Sequence, residues 1–185
     1  GRFGEMVAFG LNYVTKSFGN LLAWGVRRTT RVKPRRVVCW AYNFKQYGCN
    51  PRYLTEYLLE NHPDFEVCWV FRSGVDTSQV DPRVRVVRFR TWEYLKMMAT
   101  AEFLVTNART NPYLIYWHKR PEQKYLMLWH GGVALKRIER DAENKLGYGY
   151  VRKAKIDSRT ADLMISGCRM HTELIHNAFW YDGEV

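Results

Sequence analysis

The residues best suited to chemistry lie together in the segment 129–137, Trp-His-Gly-Gly-Val-Ala-Leu-Lys-Arg. His130 follows a short apolar run, which predicts a histidine placed where a strand ends. A neutral imidazole, with an unperturbed pKa of about 6.5, can accept the proton of a hydroxyl that attacks phosphorus. A histidine that is hydrogen-bonded at a strand end for purely structural reasons is the alternative, and the residues alone leave both open.

The turn after His130 carries two glycines and two cations. Gly131 and Gly132 permit backbone conformations that let a ligand approach the main chain closely. Lys136 and Arg137 place positive charge within one turn of that loop. We therefore predict that these four residues bind a phosphate group.

Two further segments are candidates for contact with substrate. Residues 107–120 follow a predicted strand and are rich in Arg, Asn, Tyr and Trp, so Asn107 and Arg109 are predicted ligands of a sugar or a polyol phosphate. Asp157 flanks a Lys-rich segment that could close over an acceptor. Ordinary surface loops are the alternative for both segments.

The composition limits the kinds of molecule that this chain is expected to bind. The 185 residues carry a formal charge of +11, which draws the chain to polyanions such as nucleic acid, anionic lipid or phosphate-rich polymers. No nucleic-acid-binding signature accompanies the charge, so no nucleic-acid partner is predicted. The four cysteines show no paired spacing, so we expect free thiols, a reducing compartment and no metal site.

Residues 1–35 differ from the remainder. Apolar residues recur there at helical spacing, interrupted by glycines that weaken a helix, and a basic run without acids follows. One interpretation is an interfacial helix on anionic lipid; the other is a helix packed on its own domain before a solvated linker. If the segment is an interfacial helix, the residues predicted to contact the membrane are Phe18, Trp24, Arg27, Arg28 and Arg31.

From residue 36 to residue 185, strand and helix patterns alternate. Strands are predicted at Val37–Tyr42, Glu66–Phe71, Arg83–Phe89, Phe103–Thr106, Lys124–Trp129 and Asp162–Ser166. Helices are predicted at Arg52–Glu60, capped by Asn50, at 92–100, capped by Thr91, and at Arg169–Phe179. This alternation predicts an α/β domain with a parallel sheet and helices on both faces, and ligands bind such sheets at the carboxyl ends of the strands.

The sequence from Tyr125 to Val185 resembles the CDP-glycerol glycerophosphotransferase family of teichoic-acid primases and polymerases. The resemblance rests on Leu128 to Gly131, Lys136, Asp141, Asp157-Ser158, Asp162 to Ser166 and Ala178 to Gly183, with a looser match at Val105 to Asn107. The first 100 residues are similar mainly in the order of their elements.

The resemblance implies an enzyme with two Rossmann-like domains of the glycosyltransferase-B type. Residues 36–185 would be the N-terminal, acceptor-side domain, and the CDP-linked donor would be bound mainly by the other domain, which implies that this fragment alone is inactive. His130 would be the base on the acceptor side, with no cofactor. The acceptor would be lipid-linked, at the cytoplasmic face of the cell membrane.

Two other functions stay open. One is a non-catalytic module that binds anionic membranes or polymers, with a structural His130. The other is a sugar transferase of the same architecture that differs in its donor. The donor polyol, the polymer length and the oligomeric state are not determined by these residues.

Overall fold

The computed structural model describes residues 2–131 and 137–185, with side chains from residue 13 onward. Within these ranges the helices are α1 (Arg2–Thr29), α2 (Cys49–Asn61), α3 (Trp92–Thr100), α4 (Tyr148–Thr160) and α5 (Arg169–Ala178). The strands are β1 (Lys33–Trp40), β2 (Glu66–Phe71), β3 (Arg85–Arg88), β4 (Ala101–Thr106), β5 (Lys124–Met127) and β6 (Leu163–Met164). Short 3₁₀ turns lie at Tyr42–Phe44, Pro112–Ile115 and Glu139–Lys145.

The strands form one parallel sheet in the order β3-β2-β1-β4-β5-β6. The chain first moves outward from β1 to β3 and then returns to the other side of β1, so the order reverses between β1 and β4. The loops after these two strands therefore diverge and leave a crevice at the carboxyl edge. Sheets of this order bind their ligands at that switch point.

The two faces of the sheet are both covered, as strands buried on both faces require. One face carries Val38, Trp40, Cys68, Val70 and Leu104 and packs against α1 and α3. The other carries Val37, Cys39, Val67, Trp69 and Val105 and packs against α2. A third cluster joins α5 to β5 and β6. The predicted fold class is therefore confirmed.

From residue 13 onward, helix α1 packs on the domain along one side. Ala23 and Val26 are buried, and the amide nitrogen of Asn20 donates to the carbonyl oxygen of Tyr113 at 2.9 Å. A Cβ at Gly19 would lie 2.7 Å from the Tyr116 ring, so this close approach requires glycine. The helix continues without a break through all four of its glycines.

The opposite side of α1 exposes a continuous set of apolar side chains. Its members are Tyr13, Val14, Phe18, Leu21, Leu22 and Trp24, and Phe18 and Trp24 expose 60% and 46% of their surface. Among the described residues no helix is long and apolar enough to cross a membrane. The helix thus has one face on the domain and one apolar face in solvent.

Two local predictions were wrong. Helix α2 begins at Cys49, with Gly48 as its cap, so Asn50 does not cap it. The Lys-rich segment before Asp157, considered as a loop, forms helix α4, in which Val151, Ala154 and Asp157 are buried. Both errors concern residues that contact side chains or backbone far away in the sequence.

Candidate active site at the carboxyl edge of the sheet

His130 lies just beyond β5, after the buried residues Leu128 and Trp129, and is itself exposed. Its Nδ1 atom lies 2.9 Å from the backbone carbonyl oxygen of Asn107, in the loop after β4. A carbonyl oxygen can only accept, so Nδ1 must donate the hydrogen. The neutral ring then has its lone pair on Nε2, which is the form a general base needs.

Asn107 also holds the loop after β1. Its side-chain oxygen accepts a hydrogen bond from the backbone nitrogen of Tyr42 at 3.0 Å. Tyr42, Asn43 and Phe44 have φ values of 47°, 60° and 67°, in the left-handed region. Such residues cost about 1–3 kcal/mol each and persist only when their surroundings fix them, commonly at functional sites. The ring of Tyr42 lies 6.0 Å from the ring of His130.

A cavity of about 330 Å³ opens beside His130 and Gly131. The start of α2 borders it, where the side-chain nitrogen of Asn50 donates to the carbonyl oxygens of Leu128 at 2.8 Å and Trp129 at 3.1 Å. These two bonds fix the backbone immediately before His130. Asn50 therefore acts as a positioning residue. The sequence did not indicate this role, because an asparagine before a proline is typical of a helix cap.

The far wall of this cavity is formed by the loop after β6 and the first turn of α5. His171 is buried there, and its Nδ1 accepts a hydrogen bond from the backbone nitrogen of Gly167 at 3.3 Å. Burial lowers the pKa of His171, which favours the neutral ring. The sequence analysis did not single out His171, which lies opposite His130 across this cavity.

Arg109 lies at the centre of a buried ion-pair network. Its guanidinium contacts Glu139 at 2.9 Å and Asp157 at 3.0 Å, and these three side chains are 2%, 2% and 0% exposed. Asp157 also accepts hydrogen bonds from the backbone nitrogen of Thr110 and the hydroxyl of Tyr125. The network fastens the loop after β4 to α4.

The charges of Arg109 and Asp157 are thus neutralised inside the fold. Burial raises the pKa of the Asp157 carboxyl, and the guanidinium of Arg109 opposes that shift. The guanidinium also lies 4.8 Å from the centre of the Phe179 ring and 5.7 Å from that of Trp129. Contact of either residue with substrate stays a prediction.

The remaining predicted phosphate ligands are placed differently. Gly131 lines the cavity beside His130, whereas Arg137 is exposed and lines a separate depression with residues 140–145. Gly132 and Lys136 lie outside the described residues. In the part of the chain that the structure describes, no three His, Cys, Asp or Glu side chains are grouped as a metal site.

The geometry defines a Rossmann-like domain of the glycosyltransferase-B type that presents an oriented histidine beside its switch point. The chain belongs to the CDP-glycerol:poly(glycerophosphate) glycerophosphotransferase family, whose sequence profile matches residues 22–185. The family resemblance noted from the sequence is confirmed.

Curated relatives support the same assignment. The teichoic acid poly(glycerol phosphate) polymerase of Staphylococcus epidermidis is 32% identical over 158 residues, covering 83% of this chain and 21% of the relative. That of Bacillus subtilis strain 168 is 30% identical over 175 residues, covering 91% and 22%. The chain therefore spans about a fifth of the length of these relatives.

Solved structures of the wall teichoic acid polymerase TagF share the fold. One superposes with a TM-score of 0.75 at 28% identity, covering 97% of this chain and 45% of TagF. A variant of TagF superposes with a TM-score of 0.78 at 27% identity and covers 99% and 45%. The likeness includes almost every element described above.

Proposed function

We propose that the protein containing this chain transfers glycerol phosphate, or a related polyol phosphate, from a CDP-linked donor to a hydroxyl of a lipid-linked acceptor. The observation that carries the proposal is the hydrogen bond between Nδ1 of His130 and the carbonyl oxygen of Asn107. This hydrogen bond supports a general base whose tautomer and ring orientation are set before substrate binds. Family membership supplies the reaction class.

In the proposed step, Nε2 of His130 takes the proton of the acceptor hydroxyl. The hydroxyl oxygen forms a bond to the phosphorus that bears the glycerol, and the bond from that phosphorus to the CMP oxygen breaks. CMP leaves with the electron pair, and a new phosphodiester joins glycerol to the acceptor. We assign to Lys136 the role of offsetting the charge that develops on the phosphoryl oxygens.

We assign donor binding mainly to a part of the protein outside these 185 residues. The acceptor side is the half represented here, because the base must contact the acceptor hydroxyl. No cofactor or metal ion is assigned to this half. The test must therefore use the longest protein that contains this chain.

The proposed location is the cytoplasmic face of the cell membrane, as a peripheral protein. The exposed apolar face of α1 supports this location, since Phe18 and Trp24 are available to enter the lipid interface. Arg28 and Arg31 are exposed beyond them and can interact with anionic headgroups. Arg27 is half-buried against the domain, so its contribution is expected to be smaller.

The test is release of CMP from CDP-glycerol in the presence of a lipid-linked acceptor analogue. We expect His130→Ala to lower the rate by about 100-fold or more, within the range of general-base effects. His176→Ala, an exposed histidine on α5, is the matched control and should retain the parent rate. Equal rates for both variants would make His130 structural. Absence of CMP release by the parent protein would favour the non-catalytic binding module.

A further inference from the structure

A second cavity lies at the carboxyl edge of the sheet, apart from the one beside His130. Its volume is about 260 Å³, and it is bordered by the loops after β1, β2, β3 and β4 together with α1 and α4. Five cations line it: Lys16, Arg72, Arg90, Arg109 and Lys153. None of the described residues that line it is acidic.

Four of these cations have no carboxylate partner among the described residues. Arg109 is neutralised by Glu139 and Asp157. The described ion pairs include none made by Lys16, Arg72, Arg90 or Lys153. Cations that converge on a concave surface repel one another and focus a positive field. Such an arrangement is stabilised when an anion binds.

The two arginines are held in place before any ligand arrives. Arg72 donates from Nε to the carbonyl oxygen of Asn43 at 2.9 Å. The guanidinium of Arg90 lies against two aromatic rings, 5.1 Å from the centre of Phe89 and 5.0 Å from that of Tyr116. Guanidinium groups fixed in this way can bind phosphate oxygens in a bidentate manner with little loss of side-chain freedom.

Two loops connect this cavity to His130. In the loop after β4, Asn107 accepts the hydrogen bond of His130, and residues 109–111 line the cavity. In the loop after β1, Tyr42 lies beside His130, and its neighbour Asn43 lines the cavity. Since four residues span at most roughly 14 Å, an extended ligand can occupy both places at once.

The cavity also adjoins the helix with the exposed apolar face. Lys16 belongs to α1 and lies between the exposed residues Val14 and Phe18 in sequence. An acceptor that starts at a lipid anchor near α1 and ends at His130 would pass this cavity. We propose that it binds a phosphodiester group of the acceptor chain while the terminal hydroxyl of that chain contacts His130. This inference rests on the proposed function.

The probe is a soluble oligomer of glycerol phosphate without lipid, and its dissociation constant is measured by calorimetry at low salt. Lys16→Gln/Lys153→Gln should bind it about tenfold or more weakly, because two charged contacts are lost. Arg72→Gln/Arg90→Gln should show a similar loss. If the arginine variant does not fold, the lysine variant still tests the proposal. The side-chain nitrogens of Lys16 and Lys153 make fewer contacts in the structure than the two guanidinium groups do.

The matched control is Lys96→Gln/Lys124→Gln, which removes the same charge from exposed positions on α3 and β5. Its affinity should stay within about twofold of the parent, since exposed charges interact weakly over distance. Cavity variants that bind the oligomer as tightly as this control would overturn the proposal.

A lipid headgroup offers the same phosphodiester chemistry, so the variants are also tested on vesicles of anionic phospholipid. Lost vesicle binding with retained oligomer binding would make this a lipid headgroup site and overturn the proposal. The oligomer assay requires no turnover. Failure of CMP release would therefore count against the proposed function, whereas failure of oligomer binding would count against this cavity.

Discussion

The imidazole of His130 is oriented by the backbone carbonyl of Asn107, across 2.9 Å between the ends of β5 and β4. The side chain of Asn107 simultaneously holds the nitrogen of Tyr42 at the end of β1. One residue thus joins the three central strand ends around the switch point. The orientation of the proposed base depends on a loop 23 residues earlier in the sequence.

Asn107→Ala should destabilise the fold by about 1–3 kcal/mol. The variant removes the acceptor for the backbone nitrogen of Tyr42, in a turn with three consecutive positive φ values. Urea unfolding monitored by tryptophan fluorescence measures the change. Asn61→Ala, at the exposed end of α2, is the control and should change stability by less than about 0.5 kcal/mol. An Asn107 variant as stable as this control would show that the turn is held by other contacts.

Arg109→Met should destabilise the protein by about 3–5 kcal/mol, because it leaves Glu139 and Asp157 buried without their cation. The same substitution at Arg152, exposed on α4, should have little effect. The free energy of unfolding in urea distinguishes the two. If Arg109→Met were as stable as Arg152→Met, the buried network would contribute no net stability.

Phe18→Ser/Leu21→Ser should weaken binding to anionic vesicles by tenfold or more, since both side chains are exposed on the apolar face of α1. Tyr53→Ser/Tyr148→Ser removes two aromatic residues elsewhere that are even more exposed, and it is the control. Vesicle flotation measures the bound fraction. Equal binding by both double variants would contradict the membrane role of α1.

The cysteines should react with thiol reagents in an order set by burial. Burial raises the pKa of Cys39 to about 12 and also raises that of Cys68, so neither forms thiolate at neutral pH. Cys168 is exposed and should react first, with half-buried Cys49 more slowly. Mass spectrometry of the labelled peptides gives the order. Labelling of Cys39 at the rate of Cys168 in the native state would show that the core opens readily.

Elements whose signal is local could be predicted from the sequence. Strand β2 spans the predicted residues Glu66–Phe71, because a fully buried run bounded by turns has few alternatives. Thr91 caps α3 as predicted, through its contact with the nitrogen of Tyr94. The strand that ends before His130 was also predicted, and with it the position of the imidazole at the carboxyl edge.

Features that depend on distant partners could not be predicted. Asn50 resembles a helix cap in the sequence. Its side chain instead donates hydrogen bonds to the carbonyl oxygens of Leu128 and Trp129, 78 and 79 residues later. Helix α4 buries Asp157 and Ser158 beside Val151 and Ala154, so polar residues interrupt the apolar period of its inner face. Its acidic residue is stabilised there by Arg109, 48 residues earlier. No pattern within either segment indicates the partner.

The most direct test of the account is chemical rescue of His130→Ala by imidazole, with CMP release as the readout. If Nε2 of His130 takes the proton of the acceptor, added imidazole should enter the vacated space and restore a measurable part of the lost rate. The restored rate should rise with the concentration of neutral imidazole, as general-base catalysis requires. An inactive but folded His130→Ala protein that imidazole does not rescue, or a variant that retains the parent rate, would contradict the assignment of His130 as the base.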